Sequence, residues 1–120
     1  HVMLGSDGFI DKGQGHPRAA GCFPRFLREY VGKGEMDLLT GIAKMTSMPA
    51  QRLGLNRKGR LNVGADADIV IFDPERIRDR ATFDEPHLAP EGIDYVIIAG
   101  EIAAKDCRVV NDRLGRAVRK

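Results

Sequence analysis

Asp7, within Met3-Leu4-Gly5-Ser6-Asp7-Gly8, and Arg18, within His16-Pro17-Arg18, are the residues whose surroundings best suit them to chemistry. A positioned carboxylate can take a proton from a reacting group and return it, and a guanidinium can hold another carboxylate through two parallel hydrogen bonds. Val2, Met3 and Leu4 form a short apolar run suited to a strand buried on both faces. Gly5 and Gly8 let the chain break sharply around Asp7. The carboxylate is therefore expected at a strand end, where chemistry tends to sit. A second reading stands beside it, because Ser-Asp-Gly is also a common turn sequence in which Asp and Ser bond their own backbone. Arg18 likewise reads as an anion holder or as a loop residue paired to a local acid. His16 is a lone loop histidine with no second ligand at short spacing, and is expected to serve as a hydrogen-bonding residue rather than a metal ligand.

The segment 9–21 is polar and contains Gly13, Gly15 and Pro17, so it reads as a loop over an active face. A helix is expected next, with Pro24 in its first turn; Phe23, Phe26, Leu27, Tyr30 and Val31 recur at helical spacing until Gly32 and Gly34 stop it. The aromatic residues Phe23, Phe26 and Tyr30 are expected in the core. Residues 36–47 make a second helix with Leu38, Leu39, Ile42, Ala43 and Met45 on its apolar face; Pro49 ends it, and 50–53 adds one short turn.

From Leu61 the period changes from near 3.6 to short β runs, which places a boundary at 56–59. Gly64-Ala65-Asp66 reads as a turn feeding the apolar strand Ile69-Val70-Ile71-Phe72, closed by Asp73-Pro74. Asp66 and Asp68 bracket Ala67 just before that strand and are expected in turn and cap roles. After an irregular stretch at 75–91, Tyr95-Val96-Ile97-Ile98 and Ile102-Ala103-Ala104 flank Ala99-Gly100-Glu101 as a tight hairpin. Val109-Val110 extends the return strand past an irregularity at Asp106-Cys107.

The chain has 120 residues, 42% of them hydrophobic, enough to bury a modest core. It begins inside the apolar run, with no initiator Met or signal-peptide pattern, and reads as a piece of a longer protein. Net charge is +2, from 19 basic and 17 acidic residues, which suggests neither nucleic-acid binding nor attraction to a membrane surface. Cys22 and Cys107 lie far apart with no Cys-x-x-Cys spacing, so no zinc knuckle or disulfide framework is indicated and a reducing cytoplasm is the expected location. His1 and His87 are isolated and expected at the surface.

Read together, Gly-Ser-Asp-Gly at 5–8, His16-Pro17-Arg18 and Gly21-Cys22-Phe23-Pro24-Arg25 resemble the C-terminal part of N-acyl-D-amino-acid deacylases, or D-aminoacylases, of the amidohydrolase superfamily. The resemblance runs from about Val2 to about Arg119. It includes Lys44-Met45-Thr46-Ser47, the segment 49–55, Gly64-Ala65-Asp66-Ala67-Asp68-Ile69-Val70-Ile71-Phe72-Asp73, Asp79-Arg80-Ala81-Thr82-Phe83 and Pro90-Glu91-Gly92-Ile93. The Gly-Ala-Asp-Ala-Asp piece is generic to the superfamily, whereas His-Pro-Arg and Arg-Ala-Thr-Phe point to the deacylase branch. Two positions depart from the pattern: Cys22 stands where Thr is usual, and Cys107 where Gly usually follows Asp, a place at which only Gly takes positive φ without penalty.

The resemblance implies an α+β fragment: residues 1–58 would hold the last strand and flanking helices of a (β/α)8 metal-dependent hydrolase barrel, and residues 59–120 part of a small β-sandwich domain. It implies zinc-assisted hydrolysis of small-molecule N-acyl-D-amino acids to a carboxylate and a free D-amino acid. Asp7 would be the catalytic proton-transfer carboxylate and a possible metal ligand, and Arg18 would bind the substrate's α-carboxylate. The histidine ligands such an enzyme needs are not in this sequence, so the fragment alone is expected to be inactive and to hold no tightly bound zinc. No nucleic-acid or membrane partner is expected, and exposed β edges could make the fragment self-associate. The alternatives are another amidohydrolase, such as a dihydroorotase-like cyclic amidase, against which His-Pro-Arg argues, and a non-catalytic β-rich assembly module.

Overall fold

The computed structural model describes residues 2–118, and His1, expected at the surface, lies outside them. Two sheets and a run of helices make an α+β arrangement, with the helices confined to the first half and the larger sheet to the second. No helix among the described residues is long and apolar enough to cross a membrane.

The first sheet is a small hairpin of β1 (Ile10–Asp11) and β2 (Gln14–Gly15), turning through Lys12 at φ 48° and Gly13 at φ 80°. Positive φ at both central residues matches the right-handed twist of the flanking strands. The loop expected over 9–21 therefore carries its own two-stranded ladder. The strand expected at Val2-Met3-Leu4 is not formed among the described residues. A strand exists through its neighbours' hydrogen bonds, and here the segment is tied to one helix end: Leu4 N–H donates to the Lys44 carbonyl at 3.1 Å, and Lys44 Nζ donates to the Val2 carbonyl at 2.9 Å.

The first helix, α1 (Arg18–Phe26), begins earlier than the apolar period predicts, so Pro24 lies inside it rather than in its first turn. Pro17 is the cap, and the small residues Ala19, Ala20 and Gly21 fill the first turns. Pro24 has no N–H to give to the preceding turn. The helix continues into a π-helical segment, Leu27–Val31, whose end is marked by Gly32 N–H donating to the Leu27 carbonyl at 2.9 Å. Leu27 is buried, which contributes about 1.5–3 kcal/mol. Of the aromatic residues expected in the core, Phe23 and Tyr30 are exposed and only Phe26 is half-buried, its ring 5.3 Å from that of Tyr30.

The next helix, α2 (Leu38–Met45), is capped by Asp37, whose Oδ1 accepts the Thr40 N–H at 2.9 Å. The chain then breaks at Thr46 (φ −129°, ψ −84°) and restarts as α3 (Ser47–Arg52). Pro49 lies in the first turn of α3, where a missing N–H costs nothing, so it starts a helix instead of ending one.

No strand begins at Leu61; the stretch to residue 68 is turns and coil, with Gly64 at φ 88°. The main sheet is an antiparallel meander of β3 (Ile69–Phe72), β4 (Ile93–Ile98), β5 (Glu101–Lys105) and β6 (Arg108–Val109), in that spatial order. The hairpin turns through Ala99 (φ 52°) and Gly100 (φ 86°), as its sequence predicts. Asp68 secures that turn: its Oδ1 accepts the Ala99 N–H at 2.9 Å, while Lys58 Nζ donates to its Oδ2. Those bonds hold the Asp68 carboxyl below its usual range, the Lys58 contact first, and Asp68, followed by Asp66, pushes the Lys58 ammonium up. Asp66 also pairs with Arg57 at 2.7 Å. Asp68 thus takes a turn-securing role, whereas the Asp66 side chain serves as an ion-pair partner of Arg57 and Lys58.

The sheet is thinly covered. Every residue of β4 is only half-buried, while Val70, Ile71, Ile102 and Val109 are exposed. The buried hydrophobic core comprises Leu27, Ala50, Ile77 and Ala103, joined by the fully buried Pro86.

Between β5 and β6, Asp106 (φ 48°) and Cys107 (φ 59°) form a third turn with positive φ at both central residues. The turn keeps this geometry with cysteine in place of the usual glycine. Left-handed backbone costs an ordinary side chain about 1–2 kcal/mol, and glycine's extra chain entropy returns about 0.5–1 kcal/mol of that. Cys107→Gly is therefore expected to stabilise the protein by about 0.5–1 kcal/mol, read as a higher urea midpoint. A lower midpoint would mean that the hydrogen bond from Cys107 Sγ to the Ile93 carbonyl, at 3.3 Å, outweighs the backbone strain.

Candidate active site

Asp7 stands in a left-handed turn at φ 45°, with Ser6 Oγ accepting the Gly8 N–H at 3.3 Å. Gly8 has to be glycine for a tertiary reason. A Cβ there would sit 2.4 Å from the Cα of Ala19, so the absence of a side chain brings the Asp7 turn against the first turn of α1. The β1–β2 hairpin folds the intervening residues back, and the two residues singled out in the sequence become neighbours.

Arg18 Nη2 donates to Asp7 Oδ2 at 3.0 Å, and Arg18 Nε donates to the Asp7 backbone carbonyl at 2.9 Å. The fork thus grips one side-chain and one main-chain oxygen of the same residue. The Asp7 side chain nevertheless remains 93% exposed and that of Arg18 45% exposed. A pair so wet contributes little to stability, about 0–1 kcal/mol, and either partner can leave it at small cost. Arg18 is thus paired with a local acid, while Ser6 rather than Asp7 makes the side-chain bond to the local backbone.

His16 is exposed, and its Nδ1 accepts the Arg18 N–H at 3.1 Å. It acts as a hydrogen-bonding loop residue, as its isolation in the sequence predicts. Beside Arg18 lies an open cavity of about 690 Å³ walled by Leu4, His16, Arg18, Cys22, Tyr30 and Phe83, among others. Cys22 faces it as a neutral thiol: burial pushes its pKa up, with the Arg18 guanidinium pulling the other way. Phe83, named in the sequence only as the end of the Arg-Ala-Thr-Phe motif, is given no site role by it, yet stands in this wall. Its ring meets His16 edge-on at 5.0 Å, a contact between residues far apart in the chain that no local pattern signals.

The fit to a metal is poor within this chain. Among the described residues no three His, Cys, Asp or Glu side chains are grouped so as to hold a metal ion. Asp7 offers a single carboxylate, whereas a zinc site needs about four ligands. Asp66 and Asp68 are engaged by Lys58, and His87 is exposed.

Residues 1–104 match the family described as "Amidohydrolase family". An N-acyl-D-glutamate deacylase of Alcaligenes xylosoxydans xylosoxydans is 48% identical over 99 residues, covering 82% of this chain and 20% of the relative. A crystal structure of D-aminoacylase superposes with a TM-score of 0.90 at 36% identity, over 98% of this chain and 25% of that one. The N-acyl-D-glutamate deacylase of Bordetella bronchiseptica, solved with zinc and a phosphonate inhibitor, gives 0.79 at 42% identity over 89% of this chain and 24% of its own. A dihydroorotase of Methanothermobacter thermautotrophicus is 32% identical over 96 residues, 72% of this chain. The chain spans about a fifth to a quarter of the length of the deacylases it matches. With 104 of its 120 residues inside one family's pattern and deacylase structures superposing on nearly its whole length, the chain belongs to the amidohydrolase family and resembles its N-acyl-D-amino-acid deacylases.

Proposed function

We propose that this chain is the C-terminal part of a zinc-dependent amidohydrolase that hydrolyses N-acyl-D-amino acids to a carboxylate and a free D-amino acid. Residues 1–58 would complete the enzyme's (β/α)8 barrel, and 59–120 would contribute to a small β-sandwich whose remaining strands lie elsewhere in the protein. Exposed Val70 and Ile71 on β3 fit such an uncompleted sheet, which could also pair with a second copy. The zinc is proposed for the complete enzyme, with Asp7 as one carboxylate able to reach it. Since one carboxylate does not make a metal site, the chemistry assigned to this chain is limited to its own side chains, and the isolated fragment is proposed to be inactive. A cytoplasmic location is proposed with it.

The observation that carries this reading is the 3.0 Å contact between Arg18 and Asp7. In an N-acyl amino acid the α-carboxylate and the amide nitrogen are bonded to the same carbon. An α-carboxylate taking the place of Asp7 on the Arg18 fork would bring the amide beside the displaced Asp7 carboxylate. From there Asp7 can accept a proton from the attacking water and return one to the leaving amine nitrogen. A cyclic amide without a comparably placed carboxylate would use less of this arrangement.

The test is substrate turnover by the complete enzyme. N-acetyl-D-amino acids should be hydrolysed, with dihydroorotate inert and the purified 120-residue chain showing no turnover. Turnover of dihydroorotate in place of N-acyl amino acids would favour the cyclic amidase, and absence of any amide hydrolysis by a metal-replete enzyme would favour an assembly module.

A further inference from the structure

Asp79 belongs to the irregular connection between β3 and β4, yet it is held by the helical half of the chain. Its side chain is only 10% exposed, with Oδ1 3.0 Å from Arg28 Nη1 and Oδ2 4.0 Å from Arg25 Nη1. The Arg28 contact is ionic rather than a well-directed hydrogen bond, for Oδ1 is buried without a hydrogen-bond donor. Gly21 makes the approach possible: a Cβ at that position would lie 3.1 Å from the Cβ of Asp79 and 3.7 Å from that of Ala81. From this anchor the chain runs along α1 for four residues and ends with Phe83 edge-on to His16. His16 in turn accepts the main-chain N–H of Arg18 through Nδ1, and its carbonyl accepts the Ala19 N–H at 3.0 Å.

We propose that residues 79–83 form a strut that sets the position of Arg18, with Phe83 as a positioning residue acting through His16; the inference rests on the carboxylate-holding role proposed above for Arg18. Pro17 separates His16 from Arg18, so rotation of the imidazole is passed to the first turn of α1 with little slack. Phe83 is 73% exposed, so the contact has little to do with core packing and its loss should be felt in binding geometry rather than in folding.

The experiment compares Phe83→Ala and Phe83→Tyr in the complete enzyme, with an N-acyl-D-amino acid and with an N-acyl amine that lacks the carboxylate. An edge-on aromatic contact is worth about three- to tenfold in an equilibrium. Phe83→Ala should therefore raise KM for the N-acyl amino acid about three- to tenfold. Its kcat should change little, and the N-acyl amine should be unaffected. Phe83→Tyr, which keeps the ring edge, should restore the wild-type KM. An unchanged KM in Phe83→Ala, with Arg18→Ala still selective against the carboxylate substrate, overturns the strut and leaves the role of Arg18 standing. Equal loss on both substrates in Phe83→Ala also overturns it, since a general structural defect has no preference. If Arg18→Ala itself shows no selectivity, the carboxylate reading falls and the strut with it.

Discussion

Asp7→Asn in the complete enzyme is expected to lower kcat by about 10²–10⁴-fold, the contribution of a positioned acid–base group. The fold should survive, for three reasons. The side chain is 93% exposed, so no packing is lost. Asparagine tolerates left-handed backbone nearly as well as aspartate, so the φ of 45° is retained. The ion pair with Arg18 is a surface one, and its removal costs about 0–1 kcal/mol. The amide is close in size and shape to the carboxylate, but it cannot take up a proton from water near neutral pH. A large drop in kcat with an unchanged thermal midpoint is thus the signature of lost proton transfer. Steady-state kinetics alongside thermal denaturation separates the two effects, and turnover close to wild type would remove Asp7 from the mechanism.

How far the sequence reveals this arrangement depends on whether a residue's role is local. The Ala99-Gly100 hairpin and the strand Ile69–Phe72 are legible because turn chemistry and β-branched runs act over a few residues. The start of α1 is not. Ala19, Ala20 and Gly21 carry no apolar period, and Gly21 is small because Asp79 packs on it from far along the chain. Pro24 reads as a first-turn residue but lies inside α1, and Pro49 reads as a stop but lies in the first turn of α3, since proline marks a first turn, a stop or a bend depending on what surrounds it. Val2-Met3-Leu4 reads as a buried strand, but ladder partners define a strand and the described residues supply only the end of α2.

The site shows the same division. Asp7 and Arg18 stand out by residue type and by the glycines and prolines around them, whereas their mutual contact depends on the β1–β2 hairpin and on Gly8 meeting Ala19. The pairing of Phe83 with His16 leaves no trace in local spacing.

Arg18→Ala is the second large effect, expected at about 2–5 kcal/mol in kcat/KM for N-acyl-D-amino acids, the range for truncating one side of a desolvated charge pair. In the structure the guanidinium already holds two oxygens of one residue, so its fork is shaped for an oxygen pair. Arg18→Lys keeps the charge and loses the planar fork, so a substantial part of the loss should persist. Because the Asp7–Arg18 contact is exposed, the thermal midpoint of either variant should move little.

If Arg18 recognises the substrate carboxylate while Asp7 serves the amide beside it, kcat/KM of wild type and Arg18→Ala must respond differently on two substrates. One substrate is an N-acyl-D-amino acid; the other is the matching N-acyl amine without the carboxylate. The N-acyl amine should start as a poor substrate and become little worse on mutation, while the N-acyl-D-amino acid loses about 2–5 kcal/mol. Equal losses on both substrates would remove carboxylate recognition from Arg18 and leave it as a residue that only ties the Asp7 turn to α1.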